Sequence, residues 1–126
     1  MTVGTHRTVL VVEDDQDVCE SVCDTLIDAG YAVARASNGL LALHALEAPN
    51  ALPELVLLDL MMPVIDGEHF LQALRKDPRL SALPVVLLTA DRQAAAKAVA
   101  LGADYGLRKP VQLLELIDTV SKYCRR

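Results

Sequence analysis

The chain has no tryptophan, one phenylalanine and three tyrosines in 126 residues. With so few stacking side chains, a net charge of −5 and no basic stripe, it is ill equipped to hold a nucleic acid. No apolar run approaches the ~20 residues needed to span a bilayer. The opening Met1 to Arg7 lacks the apolar stretch of a secretory signal, so a cytoplasmic protein is expected. Cys19, Cys23 and Cys124 are odd in number and form no paired framework, which points to reduced thiols. Cys19 and Cys23 stand one helical turn apart, but the two further soft ligands a structural metal site wants are missing. Neither GxxxxGK[ST] nor GxGxxG occurs among the six glycines at 4, 30, 39, 67, 102 and 106, so a nucleotide is not the expected ligand.

What is present is a core and a charge division. Apolar residues make up 52% and charged residues 23%, the balance of a compact domain rather than a disordered chain. A chain this long is expected to be one domain, residues 1–126 with a core over about 8–124, with no effector domain. Residues 1–66 hold eleven acids against two bases, whereas residues 67–126 hold six acids against ten bases.

Five short β-branched or apolar runs alternate with amphipathic stretches. The runs are Thr8 to Val12, Tyr31 to Ala36, Leu55 to Leu58, Val85 to Leu88 and Asp104 to Leu107. Three are apolar almost throughout, as strands covered on both faces must be. Between them, Asp15 to Ala29 sets Val18, Val22, Leu26 and Ala29 at helical spacing before Gly30, and Gly39 to Ala48 does so with Leu40, Leu43 and Leu46. Gly67 to Lys76 follows a capping Asp66, Asp91 to Leu101 is Ala-rich, and Val111 to Cys124 carries Leu113, Leu116, Ile117, Val120 and Cys124 as a core stripe. Strand and helix alternate five times, which predicts an α/β fold with an open, doubly wound parallel sheet. A closed eight-fold barrel would need about 250 residues.

Polar residues fall at the strand ends. Glu13 and Asp14 follow the first strand, Asp59 ends the third, Thr89 ends the fourth and Lys109 lies just past the fifth. In an open parallel sheet these ends share one edge, where ligands bind. Singly, an acid after a strand is more often a cap or a solvated loop residue, and a Thr there is an ordinary β-former. Together, three carboxylates repel unless one protonates or a cation sits among them, and an all-oxygen set favours a hard ion such as Mg²⁺. A lysine and a threonine hydroxyl opposite them suit phosphoryl oxygens.

The motifs VLVVEDD (Val9 to Asp15), LVLLDLMMPVIDG (Leu55 to Gly67), VVLLTA (Val85 to Ala90) and GADYGLRKP (Gly102 to Pro110) run in one order over nearly the whole chain. In these the chain resembles the receiver (CheY-like) domain of two-component response regulators. The resemblance implies a five-stranded sheet of order 2-1-3-4-5 and a phosphoacceptor at Asp59, charged from a phosphohistidine on a histidine kinase or histidine phosphotransfer protein. It implies Mg²⁺ held by Glu13, Asp14, Asp59 and the Met61 carbonyl, a switch hydroxyl at Thr89, and a cation at Lys109 joined to Pro110 by a cis bond. It also implies a downstream protein partner on the face of the fourth helix, fifth strand and fifth helix, where Arg92, Lys97, Arg108, Leu114 and Tyr105 stand. The chain would then be a monomer or weak homodimer, catalysing only its own phosphorylation and dephosphorylation.

The chain departs from that family at the aromatic switch position, three before the lysine, which is Gly106. Tyr105 precedes it and points to the other face of a strand. Either a bulge at Gly106 presents Tyr105, or Thr89 moves without an aromatic partner, as the period-two argument favours. Ala90 and Asp91 complete the candidate tuning set, Asp91 either capping its helix or controlling water access. The first helix carries Asp15, Asp17, Glu20, Asp24 and Asp28 with no base, a face suited to a basic donor surface or simply to solubility. His6, His44 and His69 are scattered and read as surface residues. The rival reading is a phosphorylation-independent interaction module, motivated by Gly106. An aspartyl phosphatase is disfavoured, because it would want a second acid where Met61 stands.

Overall fold

In the computed structural model, residues 8–47, 52–61 and 66–124 are described. Ten elements alternate: β1 (Thr8–Val12), α1 (Gln16–Asp28), β2 (Ala32–Ala36), α2 (Gly39–Ala45), β3 (Leu55–Asp59), α3 (Gly67–Lys76), β4 (Val85–Thr89), α4 (Ala94–Leu101), β5 (Tyr105–Arg108) and α5 (Leu113–Tyr123). All strand pairs are parallel, in the order β2-β1-β3-β4-β5.

The three central strands explain the architecture. Successive side chains of a strand point to opposite faces, so an all-apolar strand needs cover on both. Leu10, Val12, Val56, Leu58, Val85 and Leu87 pack with Ala42 of α2, Phe70, Leu71 and Leu74 of α3, and Ala98 of α4. Val9, Val11, Leu55, Leu57, Val86 and Leu88 pack with Val22 and Leu26 of α1 and Leu116 and Val120 of α5. The edge strands β2 and β5 are only partly buried, in line with their mixed sequences.

Local chemistry sets most helix ends. The Asp15 carboxylate caps α1 by accepting the amides of Asp17 (3.0 Å) and Val18 (3.2 Å). Asn38 caps α2 through the Leu41 amide (2.8 Å) and Asp66 caps α3 through the His69 amide (2.9 Å). Gly102 closes α4 with φ +88°, a left-handed conformation that glycine adopts without strain.

Several expectations need correction. Helix α4 starts at Ala94, not Asp91, and Asp91 does not cap it: the Asp91 carboxylate accepts the Gln93 amide (2.8 Å) inside the preceding turn. The Ala-rich run extended the helical pattern too far upstream, where the chain is still leaving β4. Helix α2 ends at Ala45 with Leu46 as its cap, and Ala48 lies outside the described residues. Of its expected core stripe Leu46 is buried and Leu43 packs against the core, but Leu40 is exposed, and Gly39 and Ala42 face inward in its stead. Helix α5 begins two residues late, which leaves Leu113 48% exposed in its first turn. On α1 the buried stripe includes Cys19 and Cys23, and Ala29 lies exposed at the end.

Candidate functional site

The carboxyl ends of β1, β3, β4 and β5 converge as their parallel pairing requires. Glu13, Asp59 and Thr89 are 2%, 3% and 4% exposed, and apart from Thr119 they are the buried polar side chains among the described residues. Asp14 is exposed beside them, and one carboxylate oxygen from each of Glu13, Asp14 and Asp59 lies within 4.8 Å of the others.

Lys109 enters from the end of β5. Its Nζ stands 3.1 Å from Glu13 Oε1 and 3.2 Å from Asp59 Oδ1, joining residues 96 apart in sequence. The lysine amide donates to the Thr89 carbonyl (2.7 Å), and the Lys109-Pro110 bond is cis, as expected. The Asp59 carboxylate accepts the Met61 amide (3.2 Å), and the Thr89 hydroxyl accepts the Asp91 amide (3.1 Å).

Electrostatics at this edge are unbalanced. Burial first, then the neighbouring Asp59, pushes the Glu13 carboxyl from 4.5 up to about 7, against the opposing pull of Lys109. Burial alone would depress the Lys109 ammonium, but Glu13 and Asp59 outweigh it and raise its pKa above the ordinary lysine value. Lys109 therefore stays charged, one cation against three carboxylates.

A hard divalent ion fits this arrangement. Glu13 Oε1 is buried and makes no hydrogen bond, although Lys109 Nζ is close. Such an oxygen is costly unless something coordinates it. The three carboxylates form an all-oxygen donor set with one exposed member, Asp14, open to water, as suits an ion that keeps part of its hydration shell.

The remaining predicted residues divide clearly. Glu13, Asp14, Asp59, Thr89 and Lys109 come together. The Met61 side chain points to solvent, and it is the Met61 amide that touches Asp59. Sequence reasoning did not single out that amide, since a main-chain donor leaves no mark in the residue type. Tyr105 is not part of the site: β5 pairs with β4 in regular register, with no bulge at Gly106, and Tyr105 stacks on Tyr123 of α5 (ring centroids 6.0 Å). His44 and His69 are exposed, His44 beside Glu47 just past the end of α2 and His69 beside Asp66, the residue that caps α3, and His6 lies outside the described residues.

Comparisons with known proteins agree with this geometry. The family model described as "Response regulator receiver domain" matches residues 9–121. An uncharacterized 14.6 kDa protein of Leptolyngbya boryana is 40% identical over 92% of this chain and 88% of its own length. The DNA-binding dual master transcriptional regulator RpaA of Synechocystis is 38% identical over 94% of this chain, which spans only 49% of that protein. Among solved structures, a putative response regulator from Chloroflexus aurantiacus superposes with a TM-score of 0.88 at 33% identity, covering 97% of this chain and 100% of its own. The chemotaxis protein CheY4 of Vibrio cholerae gives 0.83 at 31% identity, covering 94% and 99%. With its 2-1-3-4-5 sheet, its acidic edge and its sequence matched over residues 9–121, this chain belongs to the response regulator receiver domain family.

Proposed function

We propose that this chain is a receiver that accepts a phosphoryl group on Asp59 from a phosphohistidine donor in a Mg²⁺-dependent reaction. The observation that carries the reading is the placement of one buried carboxylate, Asp59, 3.2 Å from the Lys109 ammonium and among the oxygens of Glu13 and Asp14.

In the proposed step an Asp59 carboxylate oxygen attacks phosphorus, the bond from phosphorus to the donor imidazole nitrogen breaks, and that nitrogen keeps the electron pair. Asp59 becomes an acyl phosphate. Glu13, Asp14 and Asp59 would hold the Mg²⁺, with the Met61 carbonyl as a further oxygen; the ion supplies Lewis-acid neutralisation of phosphoryl charge. Lys109, kept protonated by the acids around it, meets a second phosphoryl oxygen, and the Thr89 hydroxyl donates to a third. The donor provides the driving energy, so the residues mainly orient the groups. No turnover of a separate substrate is proposed.

Donor docking is assigned to α1. Asp17, Glu20, Asp24 and Asp28 are exposed along it, and a groove of about 630 Å³ runs beside it past Val18, Val22, Pro110 and Val111 to Lys109. A donor helix with an apolar ridge and basic flanks fits both features. The downstream protein is assigned to the face of α4, β5 and α5, where Leu114 is 83% and Val99 75% exposed. A cytoplasmic, monomeric or weakly dimeric protein is the corresponding setting, and no helix among the described residues is long and apolar enough to cross a membrane.

The test is incubation with a small acyl phosphate and Mg²⁺, read by intact mass. A phosphoryl gain that disappears in Asp59→Asn supports the proposal; no gain in the wild type refutes it and leaves the phosphorylation-independent interaction module.

A further inference from the structure

Two buried thiols on α1 take no part in the carboxylate edge. Cys19 and Cys23 stand one helical turn apart with their sulfurs 3.8 Å from each other, and are 7% and 0% exposed. They face the sheet among Val9 and Val11 of β1 and Leu55 and Leu57 of β3. Burial first, then the neighbouring Cys19, pushes the Cys23 thiol from 9.0 up to about 12, so it keeps its proton until something displaces it.

A cavity of about 210 Å³ between α1 and β2 reaches the pair, with Cys19 in its wall. Its lining also takes in the exposed Glu20 and Arg35, which gives a path from solvent. The Arg35 guanidinium acts on Cys23 as well, favouring its thiolate.

The number of donors decides what such a pair can hold. Tetrahedral zinc and iron–sulfur clusters take four protein ligands. Among the described residues no His, Asp, Glu or further Cys brings a ligand atom within 4.8 Å of both sulfurs. A disulfide fits poorly too: Cβ atoms at i and i+4 of a helix lie about 5–6 Å apart, whereas a disulfide wants them about 3.5–4.5 Å apart. A soft monovalent ion with a filled d shell is satisfied by two thiolates, and copper(I) is the one that cysteine sulfur selects. Two sulfur bonds of roughly 2.3 Å in line set the sulfurs about 4.6 Å apart, so each sulfur need move only about 0.4 Å from its present place. The resulting unit carries one negative charge, and Arg35 stands beside it.

We propose that Cys19 and Cys23 form a two-coordinate copper(I) site, filled through the cavity between α1 and β2. The ion replaces two protons: each S–H bond breaks, each sulfur gives an electron pair to Cu⁺, and both protons pass to solvent with no change in oxidation state. This site is soft where Glu13, Asp14 and Asp59 form a hard one, so the two take different ions. The proposal stands independently of the phosphoacceptor reading.

Anaerobic titration of the whole chain with copper(I), supplied as its acetonitrile complex in competition with the chelator bicinchoninate, tests this. One ion per chain is expected, with X-ray absorption showing two sulfur neighbours and no lighter ones, and with a higher melting midpoint in the loaded protein. Cys19→Ser and Cys23→Ser should each weaken binding at least about a hundredfold, the usual gain from holding one partner at two points. Cys124→Ser should bind as the wild type does, and equimolar zinc(II) should not compete. Should Cys23→Ser fail to fold, Cys19→Ser and the absorption spectrum of the wild type decide. No retention against the chelator, affinity that survives Cys19→Ser, dependence on Cys124, or oxygen and nitrogen neighbours around a single sulfur overturns the proposal.

Discussion

Glu13→Gln should stabilise the metal-free protein. Glu13 is 2% exposed, faces Asp59, and has a carboxyl pushed from 4.5 to about 7 by burial and by that neighbour. The sign follows from linkage. A folded pKa above the unfolded one leaves the group's contribution intact below about pH 4.5 and loses it as pH rises through about 7. Each pKa unit is worth 1.36 kcal/mol, so at pH 8 the ionised Glu13 costs the metal-free fold on the order of 3 kcal/mol. That figure already includes the attraction of Lys109. Glutamine keeps the size and removes the charge. In chelator at pH 8 the variant should melt roughly 12 °C above the wild type, and the difference should shrink towards zero near pH 4.5. Millimolar Mg²⁺ should then raise the wild-type midpoint and raise the variant's much less, because binding stabilises only the state that holds the ion. Calorimetric melting across pH 4.5 to 8, with and without Mg²⁺, measures both effects. A variant less stable than the wild type in chelator at pH 8, or a difference independent of pH, would refute the account of Glu13 as a buried carboxylate in need of a cation.

Three further outcomes are expected. Arg75→Ala removes a guanidinium that donates to the carbonyls of Gly102 (3.1 Å), Ser81 (3.0 Å) and Leu83 (2.8 Å) and pairs with Asp104 (3.3 Å), so urea unfolding should report a loss of about 2–3 kcal/mol; Arg75→Lys should not rescue it, lacking the planar fork. Gly67→Ala would place a Cβ 2.7 Å from Leu60 Cα and 2.8 Å from the Asp59 carbonyl oxygen, against main chain that cannot yield, and should cost about 1–3 kcal/mol by the same assay while disturbing phosphoryl uptake. Asp24→Lys with Asp28→Lys should raise the melting midpoint slightly, since both acids now oppose the dipole at the end of α1, yet slow transfer from a basic donor, most strongly at low salt; unchanged transfer at every salt concentration would remove α1 as the docking face.

The fold was readable because each signal had one physical source. Runs such as Val9 to Val12 and Leu55 to Leu58 are apolar on both alternating faces, and only a strand sandwiched between helix layers can bury them. The site was readable because parallel pairing brings every carboxyl end to one edge, so Glu13, Asp59, Thr89 and Lys109 could be placed together with no distance known. What escaped was carried by backbone. The late start of α4 depends on the Asp91 to Gln93 turn, and an alanine run has no marker for its first turn. The exposure of Leu40 on α2 escaped because three leucines in a seven-residue helix leave the edge of its buried face open. Gly106 was legible as a missing aromatic, yet only the path of α4 shows that another backbone fills its place.

The division of charge along the chain gains its meaning at the same edge. Glu13 and Asp14 come from the end of β1 and Asp59 from the end of β3, all within the acidic half, while Lys109 reaches across from the basic half. A surface pair of this kind would be worth little. Here Glu13 and Asp59 are buried, so neither side is balanced without the other: the acids hold Lys109 charged, and Lys109 alone does not satisfy Glu13, whose Oε1 is left without a hydrogen bond. A site with full internal compensation would have no affinity to spare for an ion or a phosphoryl group. The excess of carboxylate over cation is therefore the functional feature, and the instability it imposes on the metal-free protein is the measurable sign of it.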